Sequence, residues 1–305
     1  MDKRSALVLG GIFGGVFVAL FGFLFLSWTV VQGQGRASFG GGRIGVVEVK
    51  GPIMESDDAV QQLHDFLEDD GIQAVVVRVD SPGGSVAPSQ EIHTEVRRLA
   101  EKKHVVVSMG GVAASGGYYL AAPADRIFAN PGTLTGSIGV ISQLPNVAEI
   151  TDKLGFKMNV VKSGASKDVG NPFRPFTDAD RAVFQSMIDK VYEQFVAAIV
   201  EGRKLPEERV RAVADGRVLT GEEAVELGLV DELGNFHDAV RAAADLAGIE
   251  GDPHLVYPPE EKVFGIESLL ADGARAAVRA GVGELERQVE GAAAGPQLQY
   301  LLPGY

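Results

Sequence analysis

The chain opens on an unbroken apolar run. No charged residue occurs between Arg4 and Arg36, and Ala6 to Leu26 is almost wholly apolar or glycine. About 20 apolar residues cross the hydrocarbon core of a bilayer as a helix. Trp28 then falls where an interfacial aromatic belongs. The pattern predicts a transmembrane anchor over residues 1–31, with Lys3 and Arg4 keeping a short N-terminus in the cytoplasm and the rest of the chain on the extracytoplasmic side of the cell membrane. A cleaved signal peptide is the competing reading. Its apolar region is usually about 7–15 residues, shorter than this run.

After a Gly-rich linker at 32–42, the period of the pattern changes. Ile44–Val49 and Ala74–Val79 read as strands, as does His104–Met109. Helical spacing separates them at Ala59–Asp69 and Ala87–Lys102. Further short strands are predicted at Arg126–Ala129, Ser137–Ile141 and Lys157–Val161, with a helix at Asn146–Leu154. Thr177-Asp-Ala-Asp is a helix start signal, and the long helix it opens runs to Gly202. A short helix and strand follow between Leu219 and Asp231, then a helix from Phe236 to Ala247. Strands alternating with helices at this spacing imply an α/β fold with a mainly parallel sheet. Beyond Gly251 a helical, Ala-rich stretch at 266–289 precedes Gly291–Gly295 and an apolar tail, Gln297–Tyr305.

Composition narrows the chemistry. The 305 residues include no cysteine, which removes thiol nucleophiles, disulfides and zinc–thiolate sites. A formal net charge of -13 argues against nucleic acid as a partner. The five histidines are scattered without ligand spacing, so no metal site is expected. No phosphate-binding glycine loop opens a helix in the expected setting, and no cofactor is called for. Gly-x-Ser-x-Gly and Ser-x-x-Lys are both absent.

What remains is a set of glycine-flanked serines in the loops after strands, where open α/β sheets form sites. These are Ser81-Pro-Gly-Gly84, Ala114-Ser-Gly-Gly117 and Gly136-Ser-Ile-Gly139. Ser115 precedes a helix start and is read either as an N-cap or as a nucleophile beside exposed backbone N–H groups. Gly83 and Gly84 form either a simple turn or a place where a second N–H approaches closely. A serine hydroxyl needs a base. Without a suitable histidine, the lysines downstream are the candidates: Lys153, Lys157, Lys162 and Lys167, the last in a Gly/Ser/Asn/Pro loop.

These residues carry a family resemblance. Asp80-Ser-Pro-Gly-Gly84, Ala114-Ser-Gly-Gly-Tyr-Tyr119 with Ala124-Asp125, Thr135-Gly-Ser-Ile-Gly-Val140 and Ser163-Gly-Ala-Ser-Lys-Asp168 stand in order behind an N-terminal anchor. The chain resembles the signal peptide peptidase A group of peptidase family S49, over roughly Arg43 to Ala247. The resemblance implies a Clp protease/crotonase-like fold, with a peptidase domain at 43–250 and a helical C-terminal extension with its tail at 251–305. It implies a serine endopeptidase with Ser115 as nucleophile and Lys167 as general base. Ser137 would position the lysine, and Gly83 or Gly84, with Gly116, would donate to the oxyanion. The expected partners are peptide substrates (cleaved signal peptides), membrane lipid and further copies of the chain. The single domain copy resembles the short bacterial form, a homo-octamer in which a neighbouring subunit supplies the lysine.

Three other readings stand beside it: a related membrane protease with another substrate, a crotonase-like acyl-CoA enzyme, and a non-catalytic membrane scaffold. The tail is read in two ways, as plain packing or as a substrate mimic that enters an active site.

Overall fold

The computed structural model describes residues 42–259 and 299–301. The expected anchor at 1–31, almost all of the linker and the expected helix at 266–289 lie outside the described residues. No helix among the described residues is long and apolar enough to cross a membrane.

The body begins with β1 (Arg43–Lys50), α1 (Asp57–Glu68) and β2 (Ile72–Ser81). A short β3 (Gly83–Ser85) leads directly into α2 (Val86–Ala100), then β4 (His104–Ala114) and the six-residue α3 (Gly116–Ala121). Next come β5 (Arg126–Ala129), β6 (Leu134–Gly136) and α4 (Ala148–Lys153). After a 3₁₀ turn at Ala165–Asp168 come α5 (Asp178–Arg203) and α6 (Glu207–Arg211). The remainder is β7 (Val218–Thr220), α7 (Gly221–Glu226), β8 (Glu232–Leu233), α8 (Phe236–Leu246), β9 (His254–Val256) and β10 (Gln299–Leu301).

Eight of these strands form one sheet in the order β7-β6-β4-β2-β1-β9, with β5 also on β4 and β8 on β5. All pairings are parallel except β6 with β7. The valines of β1, β2 and β4 are buried on both faces, as a parallel sheet between helical layers requires. On one face Val47, Val75, Val77 and Val107 pack with Leu63, Ile92, Tyr118 and Phe195 from the helices. On the other, Ile44, Val76 and Val106 meet the small side chains Ala239, Ala243 and Ala244 of α8.

β4 divides its edge. Val106–Ser108 pair with β5, whereas Val112–Ala114 pair with β6. The small-residue stretch after Met109, read from sequence as the start of a loop, therefore continues the strand to Ala114. Glycine and alanine there let β6 and the Asp80 side chain approach, and a Cβ on Gly110 would come within 2.7 Å of Asp80 Cγ.

Two expected strands are displaced or missing. Pairing falls on Leu134–Gly136, not on Ser137–Ile141, which has no regular structure apart from a bridge at Ile141. Residues 157–161 form no strand; they are exposed and unpaired, and Val161 is fully exposed. Their alternation is that of a strand, but they pair with no edge among the described residues.

Candidate active site

Ser115 stands in the single-residue gap between β4 and α3, with φ 53° and ψ -116°. A non-glycine residue at positive φ is strained and must be held by its surroundings. Two hydrogen bonds hold it: Ser115 N–H donates to Gly136 O at 2.8 Å, and Tyr119 N–H donates to Ser115 O at 2.8 Å. The residue is fully buried, and its Oγ has no hydrogen-bond partner among the described residues. An N-cap serine would accept an N–H from the first turn, and this one does not. The cap reading fails, leaving a hydroxyl fixed in place and unpaired.

The Gly83-Gly84 loop lies against the same point. A Cβ on Gly116 would meet Gly83 Cα and Gly84 N at 3.3 Å, and Ser89 Oγ at 2.5 Å. A side chain at position 116 would displace Ser89 Oγ and press on the Gly83-Gly84 backbone. Gly83 itself has φ 99° and donates its N–H to Ser81 Oγ at 3.1 Å. Ile53 bonds the loop from one side, with its N–H to Gly83 O at 2.9 Å and its O accepting from Ser85 N–H at 2.7 Å. Alternation along the strand then turns the N–H and C=O of Gly84 to the opposite side. There β10 runs antiparallel, with Gln299 opposite Ser85, Tyr300 opposite Gly84 and Leu301 opposite Gly83.

Ser137 adjoins Ser115 through one peptide unit. Gly136 supplies the carbonyl that Ser115 N–H bonds, and Ser137 N–H donates to Arg217 O at 2.8 Å. Ser137 is 3% exposed and has φ 49°. Among the described residues the only other non-glycine at positive φ is Lys204, so backbone strain concentrates on these two serines.

Below Ser115, Tyr119 stacks between His93 and Phe195, with ring centroids 4.7 Å and 5.0 Å away. Burial, and then the nearby Arg97 cation, push the His93 imidazole down to about 4. His93 is thus a neutral packing group under the site.

Lys167 lies on the exposed 3₁₀ turn Ala165–Asp168 and makes no hydrogen bond to Ser115 Oγ. Within one chain the structure brings together Ser115, Gly116, Gly83, Gly84 and Ser137, and Lys167 is not bonded to them. The segment that carries Lys167 has large apolar side chains in solvent, among them Ile150, Leu154, Phe156 and Val161. Sequence reasoning gave no role to the Gly136 carbonyl, which accepts the Ser115 N–H, or to Arg174, which bonds Asp168 on the turn that carries Lys167. A glycine before Ser137 was visible in the motif, but nothing in the sequence marked Arg174.

Comparison with known proteins shows the family. The model of peptidase family S49 matches residues 97–250, and that of Clp protease matches residues 46–133. A candidate protease of Synechocystis sp. is 44% identical over 211 residues, 69% of this chain and 76% of that protein. A candidate protease of Methanocaldococcus jannaschii is 34% identical over 287 residues, 88% of this chain and 91% of that protein. Protease 4 of Salmonella typhi is 36% identical over 250 residues, 79% of this chain but 40% of that longer protein.

Proposed function

We propose a mechanism from the premise that the chain belongs to peptidase family S49 and is a serine-type peptidase. Ser115 is the nucleophile, and neutral Lys167 of a second copy of the chain is its general base. The lysine takes the hydroxyl proton as Oγ attacks the carbonyl carbon of a peptide bond. The N–H groups of Gly84 and Gly116 receive the oxyanion, the kind of preorganised donor pair that is worth about 10²–10³-fold per donor. The C–N bond breaks, and the lysine ammonium passes its proton to the leaving amine. Water then attacks the acyl ester, giving a proton to the lysine; the ester C–O bond breaks, and the lysine returns that proton to Ser115 Oγ, so the hydroxyl and the neutral lysine are both restored. Ser137 orients the lysine.

The observation that carries this reading is Ser115 itself: buried, held at positive φ and unpartnered, with the Gly84 backbone against Gly116. Gly84 is favoured over Gly83 as donor because the Gly83 N–H is engaged by Ser81 Oγ. The exposed position of Lys167, on a segment with apolar side chains in solvent, favours sharing the pair between copies. Exposed apolar groups of that size generally mark contact surfaces.

The substrate is an extended, apolar peptide that adds to β3 as an antiparallel strand, the position β10 takes in this structure. Cleaved signal peptides fit that description. The apolar run at 6–26 would keep the site at the extracytoplasmic surface of the membrane where they accumulate. The test is hydrolysis of an apolar peptide by the wild type, Ser115→Ala and Lys167→Ala. Activity lost in both supports the pair, and activity surviving in either refutes it.

A further inference from the structure

The turn that carries Lys167 is braced from two sides. From one side, Lys162 Nζ donates to Ala165 O at 3.0 Å and to the Asp168 carboxylate. From the other comes a single guanidinium. Arg174 Nε donates to Asp168 Oδ2 at 3.1 Å, and Arg174 Nη2 to Asp168 O at 2.9 Å. The same guanidinium reaches Asp180, with Nη2 to Oδ1 at 2.7 Å. Asp180 in turn closes the capping box of α5, accepting Thr177 N–H at 2.9 Å while its own N–H donates to Thr177 Oγ1 at 3.2 Å. A continuous run of bonds therefore joins the start of a 26-residue helix to the residue next to Lys167.

We propose that Arg174 is a positioning residue of the reaction: it seats the Lys167 turn on α5 and offsets the charge of Asp168 beside the lysine. The proposal rests on Lys167 being the general base. Among the described residues the ion pairs at the turn join Lys162, Asp168, Arg174 and Asp180, two of each sign, so the network next to Lys167 is itself neutral. The Asp168 and Asp180 side chains are 11% and 6% exposed, which keeps their charges from being fully screened by water. The hydrogen bonds from Lys162 and Arg174 hold Asp168 below the usual carboxylate range, and those from Arg174 and Thr177 do the same for Asp180, so both are anionic near neutral pH.

Removing Arg174 leaves one negative charge in excess next to a lysine that must be neutral to act. An added anion favours the protonated lysine. The acid limb of the pH profile of kcat/KM should then move up by about one pH unit in Arg174→Met, a loss of about tenfold near neutrality that recovers at high pH. Arg174→Lys keeps the charge but not the fork of donors, so it should restore the limb while kcat stays reduced. Asp168→Asn alone removes an anion and should shift the limb down. This second variant keeps the idea testable if Arg174→Met does not fold.

The experiment is the pH profile of peptide hydrolysis by the full chain of each variant. An unmoved limb in both Arg174→Met and Asp168→Asn overturns the proposal, whatever the loss in rate. If Lys167→Ala keeps its activity, the dyad reading has failed first, and the two failures are distinguishable.

Discussion

Tyr300 lies opposite Gly84, on the side of β3 that Ile53 does not bond. The C-terminal strand thus takes the hydrogen-bonding edge that an incoming peptide would use. With Gly84 directed toward it, the Tyr300 backbone takes the position that the proposed mechanism gives to the carbonyl of a scissile bond.

If the tail competes with substrate there, removing residues from Gly295 onward should raise kcat/KM for an apolar peptide, chiefly by lowering KM. Tyr300→Pro should do the same in part, because proline cannot donate a hydrogen bond to the Gly84 carbonyl. Steady-state peptide hydrolysis decides it. Unchanged kinetics in both variants would show that β10 only packs.

A dyad divided between copies makes a mixing prediction. Ser115→Ala and Lys167→Ala should each be inactive, about 10³-fold or more below wild type. Co-refolding the two should restore a measurable fraction of activity, since some interfaces then pair an intact serine with an intact lysine. A dyad within one chain gives no recovery at any mixing ratio.

Gly116→Ala tests the oxyanion geometry. The added Cβ would stand 2.5 Å from Ser89 Oγ and 3.3 Å from Gly84 N. Ser89 Oγ must move and the Gly83-Gly84 backbone must give by a few tenths of an ångström, at an expected cost of about 1–3 kcal/mol in stability. Chemical denaturation would measure that, and kcat should fall about 10²-fold with little change in KM.

His93 makes stability pH-dependent. Its folded pKa is lowered to about 4 from 6.5. Between those values the unfolded chain binds more protons, so stability falls as pH falls through that window. Denaturation midpoints of wild type and His93→Gln between pH 4.5 and pH 7.5 should differ in slope. The wild type should lose on the order of 2 kcal/mol more than the variant over the window. Parallel curves would contradict the buried neutral state.

The parts of this fold that read clearly from sequence are those where burial alone sets the pattern. The strands through Val46, Val76 and Val106 and the helix capped by Thr177 stand where their periodicity put them. The failures come from pairing, which a linear pattern does not contain. Ser137–Ile141 looks like a strand, yet the ladder falls on Leu134–Gly136 because those residues lie beside Ala114 and Leu219. Lys157–Val161 alternates correctly and pairs with no edge among the described residues. At the site, glycines flagged Ser115 and the Gly83-Gly84 loop, because close backbone contact leaves a mark in residue choice. Lys167 left no such mark: an exposed lysine in a polar loop looks like any other, and resemblance alone singled it out.

The peptide between Gly136 and Ser137 fixes both serines at once, through the Gly136 carbonyl on Ser115 and the Ser137 N–H on Arg217. That link exists only when β6 has docked on β4. A chain whose sheet is incomplete at this edge loses the bond that holds Ser115 at its unusual φ, and the hydroxyl relaxes with it. The conformation of Ser115 is therefore tied to completion of the sheet at this edge.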